Sequence, residues 1–220
     1  MPKSLPITPR FFTHFERILN FSDGIFAFAI TLMVFSLSVP ILTGSTTGPD
    51  LPSNLIAEWP TFLGYFISFF VIGSWWTVHH RNFQYLIGYN RQLLWLNLLF
   101  LLCITLIPFL TNLIIIYHGS VFAISLYASV QATAGIIMLI IWRYATQKHR
   151  FVDRSINPTL VTYISVRNAI TILSFLFSIP IALISIATAQ FLWVIHPFLI
   201  GFVARRLAGV KQFNDTDNEQ

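Results

Sequence analysis

The sequence predicts an all-α membrane protein with six transmembrane helices and both termini cytoplasmic. Three observations carry that expectation. Hydrophobic residues make up 55% of the 220 residues and charged residues only 10%, against about 25% charged in a typical soluble domain. The apolar residues gather into six runs, and since a membrane helix needs about 20 of them, six spans leave no room for a soluble catalytic domain. The 13 lysines and arginines lie at the termini and around alternate joints, the pattern of cytoplasmic segments.

The first run covers residues 18–42 and holds Asp23 in its first turns; with no small-residue cleavage site promptly after it, it reads as a span and not a signal peptide. The next runs are 60–78, 93–117, 120–142, 163–187 and a shorter one at 191–204. Residues 43–60 are rich in Gly, Ser, Thr and Pro and read as a joint, whereas the joints near His118 and Gln190 are short turns between antiparallel neighbours. Lys3, Arg10 and Arg17 precede the first run, and Arg81 and Arg91 bracket the second joint. Arg143, Lys148, Arg150, Arg154 and Arg167 surround the fourth joint, and Arg205, Arg206 and Lys211 follow the last run. The other joints hold only Asp50, Glu58 and His118, an alternation that requires an even number of spans. Trp59, Trp75, Trp76, Tyr117, Trp142, Tyr163 and Trp193 lie near run ends as an interfacial belt would. The chain divides into one membrane domain, 1–213, and a polar tail, 214–220, expected to be disordered.

Several functions are excluded by what the chain lacks. The single cysteine, Cys103, has no partner for a disulfide or a thiolate metal site within one chain. The net charge of +5 is explained by the one-sided joints and does not point to nucleic acid. No TVGYG filter, Walker lysine motif, GxGxxG or HExxH occurs, and no internal repeat is obvious. The chain is therefore not expected to be an enzyme or to carry a cofactor.

The polar residues inside the runs are the informative ones. An acidic side chain costs about 2.5–3.5 kcal/mol at mid-bilayer and is usually paired or facing water. Asp23 needs a partner, and Arg17, six residues earlier, is too distant along one helix. His79, His80, Asn97, Arg167 and Asn168 lie at similar depth on other spans. A polar network at the cytoplasmic end of the bundle follows as the expectation. His79 and His80 are adjacent and so point about 100° apart, which disqualifies them as joint ligands of one metal. Above Asp23, Phe28, Thr31, Leu32 and Phe35 share one stripe, while Ser22, Ala29 and Ser36 form a small-residue face suited to helix packing. Periodicity leaves open whether the stripe meets lipid, another helix or a pore.

The run Arg17-x-x-x-Phe21-Ser22-Asp23-Gly24 followed by Thr31 resembles the signature opening the first helix of the transmembrane protein 175 family of potassium channels. Trp76-Thr-Val-His79-His80, Asn97-Leu-Leu-Phe-Leu and Pro108-Phe109 are similar to later patterns of that family. The resemblance lies in the first half of the chain; from about Ser120 only the hydropathy profile agrees. It implies a six-helix subunit of a homotetramer in which the first helix lines a central pore and apolar side chains form the narrow points. Phe28, Thr31, Leu32 and Phe35 are then pore-lining, and Arg17, Ser22, Asp23, His79, His80 and Asn97 form an intracellular network that holds the first helix. One departure stands out: Phe28 and Phe35 occupy positions where smaller aliphatic residues are usual. The function implied is a potassium-preferring cation channel of the cell membrane whose partners are copies of itself, the lipid bilayer and permeant monovalent cations. A proton-coupled transporter or proton-conducting channel using Asp23, His79 and His80 is the alternative.

Overall fold

The computed structural model describes residues 9–37 and 50–207. The expected end of the first run, most of the joint after it and the 214–220 tail lie outside the described residues. Among the described residues the protein is all helix apart from one isolated bridge. Helix α1 spans Pro9–Leu32, a short α2 spans Asp50–Ala57, and long helices follow: α3 (Trp59–Phe83), α4 (Arg91–Ile116), α5 (Val121–Thr146), α6 (Pro158–Ile184) and α7 (Ile186–Leu207). Five stretches are long and apolar enough to cross a membrane: Phe15–Phe35, Trp59–Phe83, Arg91–Ile116, Val121–His149 and Pro158–Ile184. The protein is a multi-pass membrane protein. Helix α7 adds a further 22 residues, with Pro197 inside it.

Side-chain chemistry at the joints sets where helices begin. Asn90 caps α4 by accepting from the Leu93 amide at 3.0 Å, Ser120 caps α5 from Ala123, and Asn157 caps α6 from Thr159 at 2.9 Å, each satisfying an otherwise orphaned N–H. Pro158 then occupies the first turn of α6, where its missing N–H costs nothing. Gly119, at φ +94°, closes the α4–α5 turn in a conformation that side chains disfavour. The two joints at the basic end pack on each other: Leu86 bridges Val152, Ile87 N–H donates to the Phe151 carbonyl at 2.9 Å, and Arg150 lies 4.2 Å over the Tyr144 ring. In the same joint the Ser155 hydroxyl and amide bind Asp153 and lower its carboxyl pKa from the ordinary value.

Several expected boundaries shift. The joint placed near Gln190 is at Ser185, whose extended backbone (φ −154°, ψ 112°) is the whole connection between α6 and α7. Apolar residues continue on both sides of Ser185, so hydropathy gives no break there. The first span does not run as one α-helix to residue 42: α1 ends at Leu32 and tightens into a 3-10 turn, Met33–Ser36, closed by Leu37 N–H on the Val34 carbonyl at 3.0 Å. A helix, α2, occupies part of the stretch read from its Gly, Ser, Thr and Pro content as a joint.

Consecutive helices pack in order from α4 to α7, and α1 lies against α3 and α4. Helices α5 and α6 approach closely at Gly135, where a Cβ would stand 2.8 Å from Ile172 Cγ1. Gly135→Ala is expected to lower the thermal unfolding midpoint in detergent by the equivalent of about 1–3 kcal/mol of overpacking. Gly73→Ala, whose Cβ meets nothing within 4 Å, is expected to leave the midpoint unchanged or raise it.

Candidate functional site

Helix α1 has two unlike faces. Ile18, Ser22, Phe26, Ala29 and Met33 repeat at steps of three and four and are buried, Phe26 to 1% exposure and Met33 to 0%. That spacing is the core stripe of an amphipathic helix. Phe28 is 60% exposed and Phe35 80%, Thr31 is exposed and Leu32 half-buried. The proposed stripe thus lies on the outer surface of the subunit. Phe35 belongs to the 3-10 turn and not to the α-helix, so it does not continue the α-helical spacing of Phe28 and Thr31. The Thr31 hydroxyl donates to the Phe28 carbonyl at 2.8 Å. With its proton spent on its own helix, the oxygen presents only lone pairs outward and can accept or coordinate but not donate.

Of the six residues expected to form one polar network, five divide into two sets and Arg17 joins neither. Ser22, Asn97 and His79 are buried together: Ser22 Oγ donates to the Ile18 carbonyl at 2.9 Å, Asn97 Nδ2 donates to Ser22 Oγ at 2.9 Å, and His79 Nε2 lies 2.9 Å from Asn97 Oδ1. The order of donation fixes the histidine. Because the Ser22 proton is committed to Ile18, the Asn97 amide must donate to Ser22 and turn its oxygen to His79, so Nε2 carries the proton. The imidazole stacks on Phe83 at 4.0 Å and Phe100 at 5.7 Å, with Phe26 edge-on at 5.6 Å, a cage that keeps water away.

Asp23 and His80 stand apart from that set. Trp76 Nε1 donates to Asp23 Oδ1 at 2.9 Å, and the Trp76 ring stacks on His80 one turn later at 5.5 Å. Both Asp23 and His80 are exposed. Arg17 is exposed and makes no ion pair among the described residues. The single-network expectation is corrected for a geometric reason: adjacent helical residues point about 100° apart. Ser22 and Asp23 on α1, and His79 and His80 on α3, therefore send one member of each pair inward and one outward. The partner of Asp23 is an indole, which a search for opposite charge passes over. Asp23→Asn keeps an oxygen for that indole and is expected to leave the unfolding midpoint unchanged. Trp76→Phe deletes the donor and is expected to cost about 1 kcal/mol at this exposed site.

A second buried cluster was not foreseen. Trp75 Nε1 donates to Gln131 Oε1 at 2.7 Å, and Ser68 Oγ lies 2.8 Å from Thr111 Oγ1. Gln131, a lone amide in the middle of an apolar run, was the available signal. Among the described residues no group of His, Cys, Asp and Glu could hold a metal. A cavity of about 630 Å³ lies between the start of α3, the end of α4 and the start of α7, and a smaller one lies between α3, α6 and α7. Neither includes any residue of α1.

The sequence model of the family described as endosomal/lysosomal potassium channel TMEM175 matches residues 17–108, the segment holding Ser22, Asp23, Trp76, His79, His80 and Asn97. A protein described as a potassium channel, from Streptomyces collinus, is 30% identical over 174 residues, covering 77% of this chain and 82% of the relative. This chain belongs to the TMEM175 family. Its fold is similar to the crystal structure of a lysosomal potassium-selective channel TMEM175 homolog from Chamaesiphon minutus, with a TM-score of 0.74 and 27% identity over 87% of this chain and 98% of that one. A TMEM175 of Gallus gallus described as an endosomal/lysosomal proton channel is 31% identical over 144 residues, covering 61% of this chain and 29% of that protein. TMEM175 relatives are thus described as channels, not as enzymes.

Proposed function

We propose that the chain is the subunit of a homotetrameric, potassium-preferring cation channel in the cell membrane, with six spans and cytoplasmic termini. Helix α1 lines the path at Phe28, Thr31, Leu32 and Phe35, and apolar rings, not a carbonyl filter, make its narrow points. The observation that carries the reading is the two-faced α1: its inner stripe is buried to near zero exposure while Phe28, Thr31 and Phe35 stand outside the subunit. Since Phe28, Thr31 and Phe35 are exposed on the subunit surface, a path along that face needs further copies to enclose it. The outward lone pairs of Thr31 suit a cation and not an anion. Ser22, Asn97 and His79 hold α1 in register from behind.

Purified protein in liposomes carrying a potassium gradient is expected to pass potassium at channel rates, and native mass measurement in mild detergent is expected to give four chains. A monomer that conducts overturns the reading. Proton conduction is the second reading, favoured by Asp23 and His80, both exposed and both in contact with Trp76, and by the description of the Gallus gallus relative as a proton channel. Proton uptake that persists when potassium is replaced by an impermeant cation, together with no potassium flux, would select it.

A further inference from the structure

Helices α3 to α7 contain no carboxylate at all. Arg167 nonetheless sits at the tenth position of α6, about 14 Å of helix rise from its start, half-buried in the bundle. Its guanidinium has no ion pair or hydrogen bond among the described residues; Arg81 of α3 acts on it as a like charge, and Tyr163, one turn earlier on α6, as an attractive neighbour. The recess at its side, about 60 Å³ between α3, α6 and α7, is also lined by Ser74, Thr171, Trp193 and His196. Trp193 Nε1 is buried there with no partner, and His196 Nδ1 has no side-chain partner. The Ser74 and Thr171 hydroxyls both donate back to their own helices.

An unpaired charge inside a membrane protein is costly and is normally matched by a partner or a functional ligand. Here the unmatched groups are a guanidinium and an indole N–H, together with an imidazole able to donate or accept. What they lack is an anion rich in acceptor oxygens. Phosphate fits that description, because a guanidinium binds two of its oxygens at once and leaves others for the indole. The recess has space for several water-sized groups, enough for the oxygens of one phosphate. It lies in the half of the bundle where the basic joints collect. Helices α3 and α7 do not pack closely along each other, and a headgroup entering from the bilayer would pass between them. Basic recesses between membrane helices at the cytoplasmic side are suited to anionic lipid headgroups.

We infer that the recess around Arg167 binds the phosphate of an anionic phospholipid from the leaflet on the basic side of the protein. The inference rests on the membrane-spanning reading and not on ion conduction, so its test needs no flux. Full-length wild-type protein in neutral detergent is titrated with phosphatidylglycerol, phosphatidylcholine or sodium phosphate, and thermal unfolding and native mass are read. Phosphatidylglycerol is expected to raise the midpoint and to remain bound at least tenfold better than phosphatidylcholine, with inorganic phosphate without effect. Arg167→Met is expected to abolish that preference and Arg167→Lys to keep part of it. Equal retention of the two lipids by wild-type protein overturns the inference, whatever the fate of the variants. So does equal stabilisation by inorganic phosphate, which would mark a site for a free anion. A preference unchanged in Arg167→Met overturns it as well, and if that variant also loses its oligomer the missing counter-charge belongs to a neighbouring copy.

Discussion

Replacing Phe28 with alanine is expected to raise basal potassium flux through the reconstituted protein by about tenfold or more, equivalent to at least about 1.4 kcal/mol off the barrier. In a tetramer one substitution removes four phenyl rings from the axis, and a wider, less apolar constriction wets more readily. The fold should not register the change, because the ring lies outside the subunit and surface truncations cost little. An unchanged unfolding midpoint alongside the raised flux is therefore part of the expected result. Thr31→Val keeps volume but deletes the outward oxygen, and it should change potassium preference more than total flux. Cysteines placed singly from residue 25 to 35, with Cys103 first removed, should react with water-soluble thiol reagents at 28, 31 and 35. Labelling at 26 and 33 in their place would mean that α1 turns its other face to the path and that these site assignments fail.

The opposite pattern is expected at Asn97. Its amide is the only link between Ser22 of α1 and His79 of α3 in the buried set, using Nδ2 for one and Oδ1 for the other. Asn97→Leu fills the space but strands polar groups on both neighbours, at about 1–3 kcal/mol for each group left unsatisfied. The unfolding midpoint should fall clearly, and flux should fall with the loss of assembled channel. Asn97→Asp keeps the oxygen toward His79 but offers no donor to Ser22, and should be intermediate. A variant of leucine at 97 with full stability would show that this triad does not anchor α1.

Fold class was legible because hydropathy and the placement of lysine and arginine are strong, long-range signals. What failed was local. Ser185 interrupts two helices inside an apolar stretch, and a single extended residue leaves no compositional trace. The tightening of α1 after Leu32 is equally invisible, since Met33, Val34 and Phe35 suit an α-helix and a 3-10 turn alike. At the site, the residue types were legible and their grouping was not. The partners expected for Asp23 were His79, His80, Asn97, Arg167 and Asn168, yet at an exposed helix position the indole of Trp76 is the donor. The resemblance groups Ser22 and Asp23 in one network, although adjacency on a helix separates their side chains.

That separation makes α1 behave like a keyed shaft. Turning it by one residue, about 100°, would swing Phe28 aside, but the same turn would drag Ser22 out of its socket beneath Asn97 and carry a carboxylate toward the ring cage of Phe26, Phe83 and Phe100. Axial rotation of the whole helix is thus the most expensive way to open a path along it. Swinging the exposed rings about their own Cα–Cβ bonds, or hinging the helix where it tightens after Leu32, leaves the key seated.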